Sequence, residues 1–432
     1  MSASEVVSAE PKVFSNEQSS SGVYKLIFAS SLGNALEWFD LIVYGFFAVT
    51  IGQLFFPSEN DSVSLVLAMG TFALSYVVRP LGAIVLGAYA DKVGRKAAMM
   101  ISIWLMMLGM FIIAVMPTYQ AIGVWAPVGI FLARLLQGFS AGGEFGSATA
   151  LLVEKIPEKR GLIASFMFAS QGVSLLLGAG FGLLLTTLLS HAQLESWGWR
   201  VPFLFGMLIG PVGIYIRRQI PESEVLKHHK NKGMPVAQLF REHKRSVLLA
   251  IGSLILSTSV SYVIIFIPAF ASKQLGLPVS QGYATTLMSG VILTLLTPFV
   301  GHLSDRVGRT RIMLIASALF FITVVPAFYW LSRAPVLVTL MTVLIWLTLL
   351  KVFYFGGLPA LMSDLFEPEV RASGLALSYN ITTTAFGSVG PLIIAWMISM
   401  THSDVAPSFY LIFTSLVSFI ALLVIRFQRG IR

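Results

Sequence analysis

Apolar runs long enough to cross a lipid bilayer recur from end to end of this chain, and nothing else limits its fold as strongly. A hydrocarbon core about 30 Å thick needs about 20 helical residues at 1.5 Å each. Twelve such spans can be drawn, at 25–55, 63–90, 97–117, 121–154, 161–190, 199–218, 246–272, 280–303, 312–331, 336–364, 372–400 and 406–426. Lipid offers no partner to an open strand or bare loop, so each span has to be a helix. The period-2 alternation of a membrane β-barrel is absent. Charged residues make up 11% of the chain, against about 25% in soluble domains, which excludes a soluble fold. Several spans exceed 25 residues, which implies tilt or helix beyond the bilayer.

Polar turns such as "FFPSENDS" (55–62), "IPEKRG" (156–161) and "EPEVRASG" (367–374) separate the spans. With both termini cytoplasmic, only Arg200, Lys273 and Arg333 of the 29 basic residues fall in outer loops, and Arg79, Arg134 and Lys351 lie within spans. Such a bias orients a bundle. The net charge of +9 is therefore topology and needs no nucleic-acid partner. Residues 1–24 read as a disordered cytoplasmic tail with no signal peptide, and 219–245 as a cytoplasmic linker between six-helix bundles at 25–218 and 246–427, with a short tail at 428–432. The chain has no cysteine, which removes disulfides, thiol catalysis and cysteine metal sites. His228 and His229 belong to the solvated linker, and no metal site is expected.

The two bundles repeat. "GAYADKVGRKAAM" (87–99) and "GHLSDRVGRTRIM" (301–313) match at an offset of 214 residues, with Gly87, Asp91, Gly94 and Arg95 answering Gly301, Asp305, Gly308 and Arg309. A weaker echo links "VEKIPEKRG" (153–161) to "SDLFEPEVRASG" (363–374). Parallel six-span repeats mark alternating-access carriers with a site between the halves. The paired loops resemble motif A of the major facilitator superfamily. "RLLQGFSAGGEFG" (134–146) resembles its fourth-span motif, and "SLGNALEWFD", "VRPLGA" (78–83) and "WGWRVPF" (197–203) are similar to its metabolite:proton symporter branch. The resemblance implies an all-α membrane fold of 12 transmembrane helices in two pseudo-symmetric bundles. It also implies cytoplasmic latches built from Gly87, Asp91, Arg95, Glu154, Asp305, Arg309 and Asp364, in which Arg95 pairs with Glu154 and Arg309 with Asp364.

Charge inside a membrane is costly and has to be used. At 100° per residue Asn34, Glu37, Asp40 and Tyr44 share about a third of the first helix. Acids on such a stripe suit proton uptake and release, with a permanent ion pair to Arg79 or Arg134 as the alternative. Arg134, Gln137 and Glu144 form a second polar face, with Glu144 nearer the cytoplasm. Gly138, Gly142, Gly143 and Gly146 read as close-packing positions. Lys351, with Tyr354 on the same face, suits a substrate carboxylate or serves as counter-ion to Asp40 or Glu37. Neutral lining is expected at Gln171, Tyr262 and Asn380.

Proton coupling is thus expected of Glu37, Asp40, Arg134 and Glu144. Substrate contacts are expected of Tyr44, Arg79, Gln137, Gln171, Tyr262, Lys351, Tyr354 and Asn380. The expected activity is proton-driven import of a small di- or tricarboxylate such as citrate or α-ketoglutarate. A proline or betaine importer is the alternative, and a non-transporting receptor a remote one. No enzyme motif is present. No cofactor is expected beyond the proton gradient, and the partners are a small molecule, protons and the lipid bilayer. The resemblance implies a multi-pass protein of a bacterial inner membrane, expected as a monomer.

Overall fold

The computed structural model describes residues 20–59, 61–93, 95–142, 144–219, 239, 241–368 and 370–431. Most of the expected tail and linker lie outside them, as do the side chains of Gly87, Asp91, Arg95 and Glu144. The described residues are helical and carry no strand. The first half of the chain runs through α1 (Ser20–Phe46), α2 (Ala48–Phe55), α3 (Asp61–Val77), α4 (Arg79–Val93), α5 (Arg95–Val115), α6 (Trp125–Ala141), α7 (Glu144–Lys155), α8 (Arg160–Leu188) and α9 (Val201–Gln219). The second half has α10 (Lys244–Lys273), α11 (Val279–Val307), α12 (Arg309–Arg333), α13 (Leu337–Asp364), α14 (Arg371–Thr382), α15 (Gly390–Thr401) and α16 (Ala406–Arg429). Among the described residues eight helices are long and apolar enough to cross a membrane, or nine if the bent pair α1–α2 is one span.

The outside of the bundle is oily. Phe299 is 73% exposed and Val338 71%, and Leu208, Trp125 and Phe427 stand out from the surface in the same way. Soluble monomers do not display apolar surface on this scale. Polar side chains lie inside instead, which is the arrangement a lipid solvent demands.

Long apolar spans are broken where the expected map draws them continuous. The first bends by 63° between α1 and α2. At that bend Tyr283 of α11 donates its hydroxyl to the Phe46 carbonyl at 2.9 Å. Another span passes through a π-helical turn, Thr383–Ser388, between α14 and α15. The wider turn displaces backbone carbonyls, and the one at Phe386 accepts from the Tyr410 hydroxyl at 2.6 Å. Hydropathy continues through both breaks, so it carries no trace of them.

Glycines set the spacing in the first half. A Cβ on Gly138 would overlap the Ser75 carbonyl, one on Gly142 the Arg79 carbonyl, and one on Gly82 the Phe139 carbonyl. Backbone therefore lies on backbone where α6 crosses α3 and α4, the contact small residues permit in membranes. The "WGWRVPF" stretch also has a local use. Trp199 is buried edge-on against Phe55 at 5.5 Å, and Arg200 donates to the Ala114 and Met116 carbonyls at 2.6 and 2.9 Å. The second half packs along α8 by a similar device, with Gly290 against Leu176 and Gly172 against Thr294. Gly138→Val should lower the thermal unfolding midpoint in detergent, by an amount matching an overpacking cost of about 1–3 kcal/mol. An unchanged midpoint would mean that α6 and α3 are not in backbone contact.

Candidate functional site

The polar stripe of α1 faces inward, and each acid on it meets an arginine. Glu37 Oε1 lies 2.9 Å from Arg79 Nη1. Arg134 Nη1 donates to Asp40 Oδ2 at 2.8 Å. Gln137 completes the second pair, donating to Asp40 Oδ1 at 2.7 Å and accepting from Arg134 at 2.6 Å. All five side chains are buried. Rings support the cations: Arg79 lies over Tyr76 at 4.1 Å, and Arg134 over Tyr44 at 4.1 Å and Phe72 at 5.3 Å. A guanidinium stays charged when removed from water, so its burial is tolerated where a carboxylate and aromatic faces surround it. Asn34, on the same stripe, donates to the Met167 carbonyl and to Ser170, both on α8.

Between the halves lies a continuous set of rings. Trp38 Nε1 donates to the Tyr379 hydroxyl at 3.1 Å. Tyr379 stacks on Phe145 at 4.0 Å, Phe145 on Phe168 at 5.8 Å, and Phe168 on Phe355 at 4.2 Å. On the other flank Tyr262 packs against Trp38 at 6.0 Å and Phe72 at 6.2 Å, with its hydroxyl against that of Tyr76. Asn380 donates to the Gly142 carbonyl at 2.5 Å, and its Oδ1 has no hydrogen-bond partner among the described residues.

Lys351 is buried, with Nζ 4.6 Å from the centre of the Phe355 ring. Among the described residues no carboxylate lies within ion-pair distance of it. The Arg160–Asp364 bridge at 3.1 Å brings the start of α8 to the end of α13, so the two helices run antiparallel. Gln171 lies one turn past Phe168 on α8, and Lys351 one turn before Phe355 on α13. Both therefore sit on the same side of the stacked ring pair, away from Asp364. The Gln171 amide also lacks a partner among the described residues. A buried cation and a buried amide, both short of partners, can together receive an anion.

At the end of the molecule carrying Arg160, the halves are locked by charge. Asp305 accepts from the Gly161 and Leu162 amides at 2.8 and 3.0 Å, at the first turn of α8. Arg309 reaches Asp305 at 3.2 Å and also pairs with Asp364. Glu154 pairs with Arg371 of the second half at 3.0 Å; the Arg95 side chain, its expected partner, lies outside the described residues. Arg371 lies close because its Nε also donates to the Ser363 carbonyl at 3.1 Å.

Three expectations need correcting. Tyr354 does not join Lys351: its hydroxyl donates to the Ser253 carbonyl at 2.7 Å, away from Phe355. Tyr44 lies within the first half, its hydroxyl given to Ala68 and its ring beneath Arg134, so it supports the cation and does not face the interface. Lys351 is not the counter-ion of Glu37 or Asp40, because Arg79 and Arg134 hold those places. Sequence reasoning also passed over Tyr76, Phe145, Phe168, Phe355, Tyr379, Arg160 and Arg371. Of these, only the two arginines carry a one-dimensional signal, charge beside a span end.

Comparison with known proteins agrees with this architecture. The model of the Major Facilitator Superfamily matches residues 30–391 and 249–430. A citrate-proton symporter of Klebsiella pneumoniae is 34% identical over 394 residues, covering 90% of this chain and 88% of that protein. A proline/betaine transporter of Escherichia coli strain K12 is 32% identical over 412 residues, covering 92% and 82%. The solved proton:xylose symporter XylE superposes with a TM-score of 0.76 at 15% identity, covering 96% of each chain, a likeness of fold. With its family model matched over most of its length, the chain belongs to the major facilitator superfamily.

Proposed function

We propose that the chain is a proton-coupled symporter that imports a small carboxylate-bearing metabolite by alternating access. In this reading the helices make twelve spans, four of them broken, in six-helix bundles at 25–218 and 246–427. Both termini and the 219–245 linker face the cytoplasm of a bacterial cell, and the protein works as a monomer in the inner membrane without a cofactor. One observation carries the cargo assignment. Arg79 and Arg134 are neutralised by Glu37 and Asp40, while Lys351 is buried on the same side of the Phe168–Phe355 stack as Gln171, with no carboxylate within ion-pair distance among the described residues. A cargo carboxylate supplies the missing charge. A di- or tricarboxylate such as citrate fits if protonation of Glu37 or Asp40 releases an arginine for a second contact. The citrate-proton symporter among the relatives supports this choice.

Proton binding is assigned to Glu37 and Asp40, with Arg79, Arg134 and Gln137 setting when each acid is ionised. Glu144 keeps its place in this set as a proposal from sequence alone. Gln171, Lys351, Asn380 and Tyr262 line the cargo site. Gly87, Asp91, Arg95, Glu154, Asp305, Arg309 and Asp364 form the cytoplasmic gate, joined by Arg160 and Arg371. A second reading, import of a zwitterion such as proline or betaine, is favoured by the rings of Trp38, Phe72, Tyr76 and Tyr262. Their faces suit an alkylated ammonium, and a proline/betaine transporter is also a relative.

Vesicles holding the pure protein should accumulate labelled citrate or glycine betaine only under an imposed pH gradient or an inside-negative potential. Uptake that survives a protonophore and requires sodium would refute proton coupling. Asp40→Asn keeps one of the two acceptor oxygens that Arg134 and Gln137 use, and cannot carry a proton. It should abolish uphill uptake and leave exchange across the membrane measurable; wild-type uphill uptake would remove Asp40 from the coupling role. Lys351→Ala should weaken uptake of the carboxylate by tenfold or more, and that of its uncharged amide analogue by less than twofold. Equal losses for both would make Lys351 structural.

A further inference from the structure

The first half contains a small cavity on the side of Glu37 away from the second half of the chain. It lies among α1, α5, α6 and α9 and is lined by Glu37, Ser102, Ser140, Met106 and Met110, with Gly33 at its floor. About 20 Å³ of it is open to the centre of a water molecule. A water needs roughly 10–15 Å³ by that measure, together with two to four polar partners. The partners are present. Ser102 Oγ lies 2.8 Å from the Ser140 carbonyl, Ser140 Oγ 2.6 Å from the Ser102 carbonyl, and the two hydroxyls are 2.9 Å apart. Each hydroxyl has its own proton placed by this pairing and keeps lone-pair capacity towards the cavity. The rest of the wall is loosely filled, with Met110 seated against Gly206 and Met107 against Gly210. Unbranched thioethers on glycine notches adapt their shape and leave room.

Glu37 lines this cavity and also pairs with Arg79. The charged and titratable groups around it are Arg79 of α4, Tyr76 of α3 and Tyr379 of α14, with Asp40 one turn along α1. The lining that α5, α6 and α9 contribute to the cavity is uncharged. Ser102 lies two turns along α5 from Arg95, roughly 10 Å from that end of the helix at 1.5 Å per residue. We infer that the cavity is a site for one bound water, held by the Ser102–Ser140 pair, that relays protons between the two carboxyl oxygens of Glu37, inside the first half and apart from the path of the cargo between the halves. As the carboxyl O–H breaks, a water O–H forms, and the water returns another of its protons to the other carboxyl oxygen. The proton thus moves between the Oε1 that meets Arg79 and Oε2, and no redox partner is required. The relay rests on the symport reading; the water site does not.

Hydroxyl-radical footprinting of the full chain reads bound water directly. Met110 and Met313 are both buried, at 1% and 0% exposure, so accessibility from outside does not separate them. Met110 should oxidise at least fivefold faster than Met313, and Met106→Phe, which fills the cavity, should cancel the difference. Equal rates in the wild type would overturn the water site. In vesicles Met106→Phe should lower pH-driven uptake of labelled citrate or glycine betaine about tenfold, with exchange within twofold of wild type, and Met106→Leu should restore uptake. Wild-type uptake by Met106→Phe would overturn the relay and leave symport standing. A wild type that accumulates neither probe overturns the symport reading and the relay with it.

Discussion

A buried guanidinium has to be neutralised and ringed by acceptors, and much of the first half is arranged to meet that demand. Arg134 takes Asp40, Gln137, Tyr44 and Phe72, and Arg79 takes Glu37 and Tyr76. These contacts tie α1 to α4 and α6. Backbone contact at Gly138 and Gly142 holds α6 against α3 and α4, which keeps Arg134 and Arg79 on adjoining spans where the acids of α1 reach both. Removing one member of a buried pair typically costs about 3–5 kcal/mol, because the other is stranded. The pairs are therefore rigid in one protonation state and weakened in the other, the property a coupling site needs.

The second half is built differently. Its cation within the span, Lys351, has a ring for company and, among the described residues, no acid, and at this depth it meets the first half mainly through flat aromatic faces and glycine-lined helix contacts. Stacked rings hold by dispersion and a weak quadrupole term, of order 0.5–1.5 kcal/mol beyond area. They part without stranding a charge. Charge-rich contacts within one half and charge-poor contacts in the membrane between halves let the bundles separate while each remains intact.

How much of this was legible beforehand follows from the physics of each signal. The apolar helical character of the chain and the inward face of Glu37 and Asp40 could be read because charge within an apolar run is rare and helical spacing assigns it a face. Arg134 and Gln137 share a face as their spacing implies, and Asp40 meets them through an ion pair that the sequence offered only as an alternative. The breaks at Phe47 and the π turn could not be read, since no proline or polar residue marks the first and the second differs from an α-helix by one residue of register. The ring network was equally hidden. Phe145, Phe168 and Phe355 stand in apolar spans like any lipid-facing phenylalanine, and only the approach of the two halves distinguishes them. Lys351 stood out as a buried cation, but its neighbour is set by tertiary packing, so Phe355 and not Tyr354 lies beside it.

Asp364 has two arginine partners of different origin. Arg309 belongs to the same half and Arg160 comes from the other, on a side chain that remains 31% exposed. When the halves part at this end, the aspartate loses the solvent-wetted partner and keeps its own, so no charge is abandoned. A bridge of that exposed kind is worth only about 0–1 kcal/mol. The closed and open forms are thus separated at this point by a small step that thermal motion can take in either direction, and the bias between them is left to whatever occupies the centre.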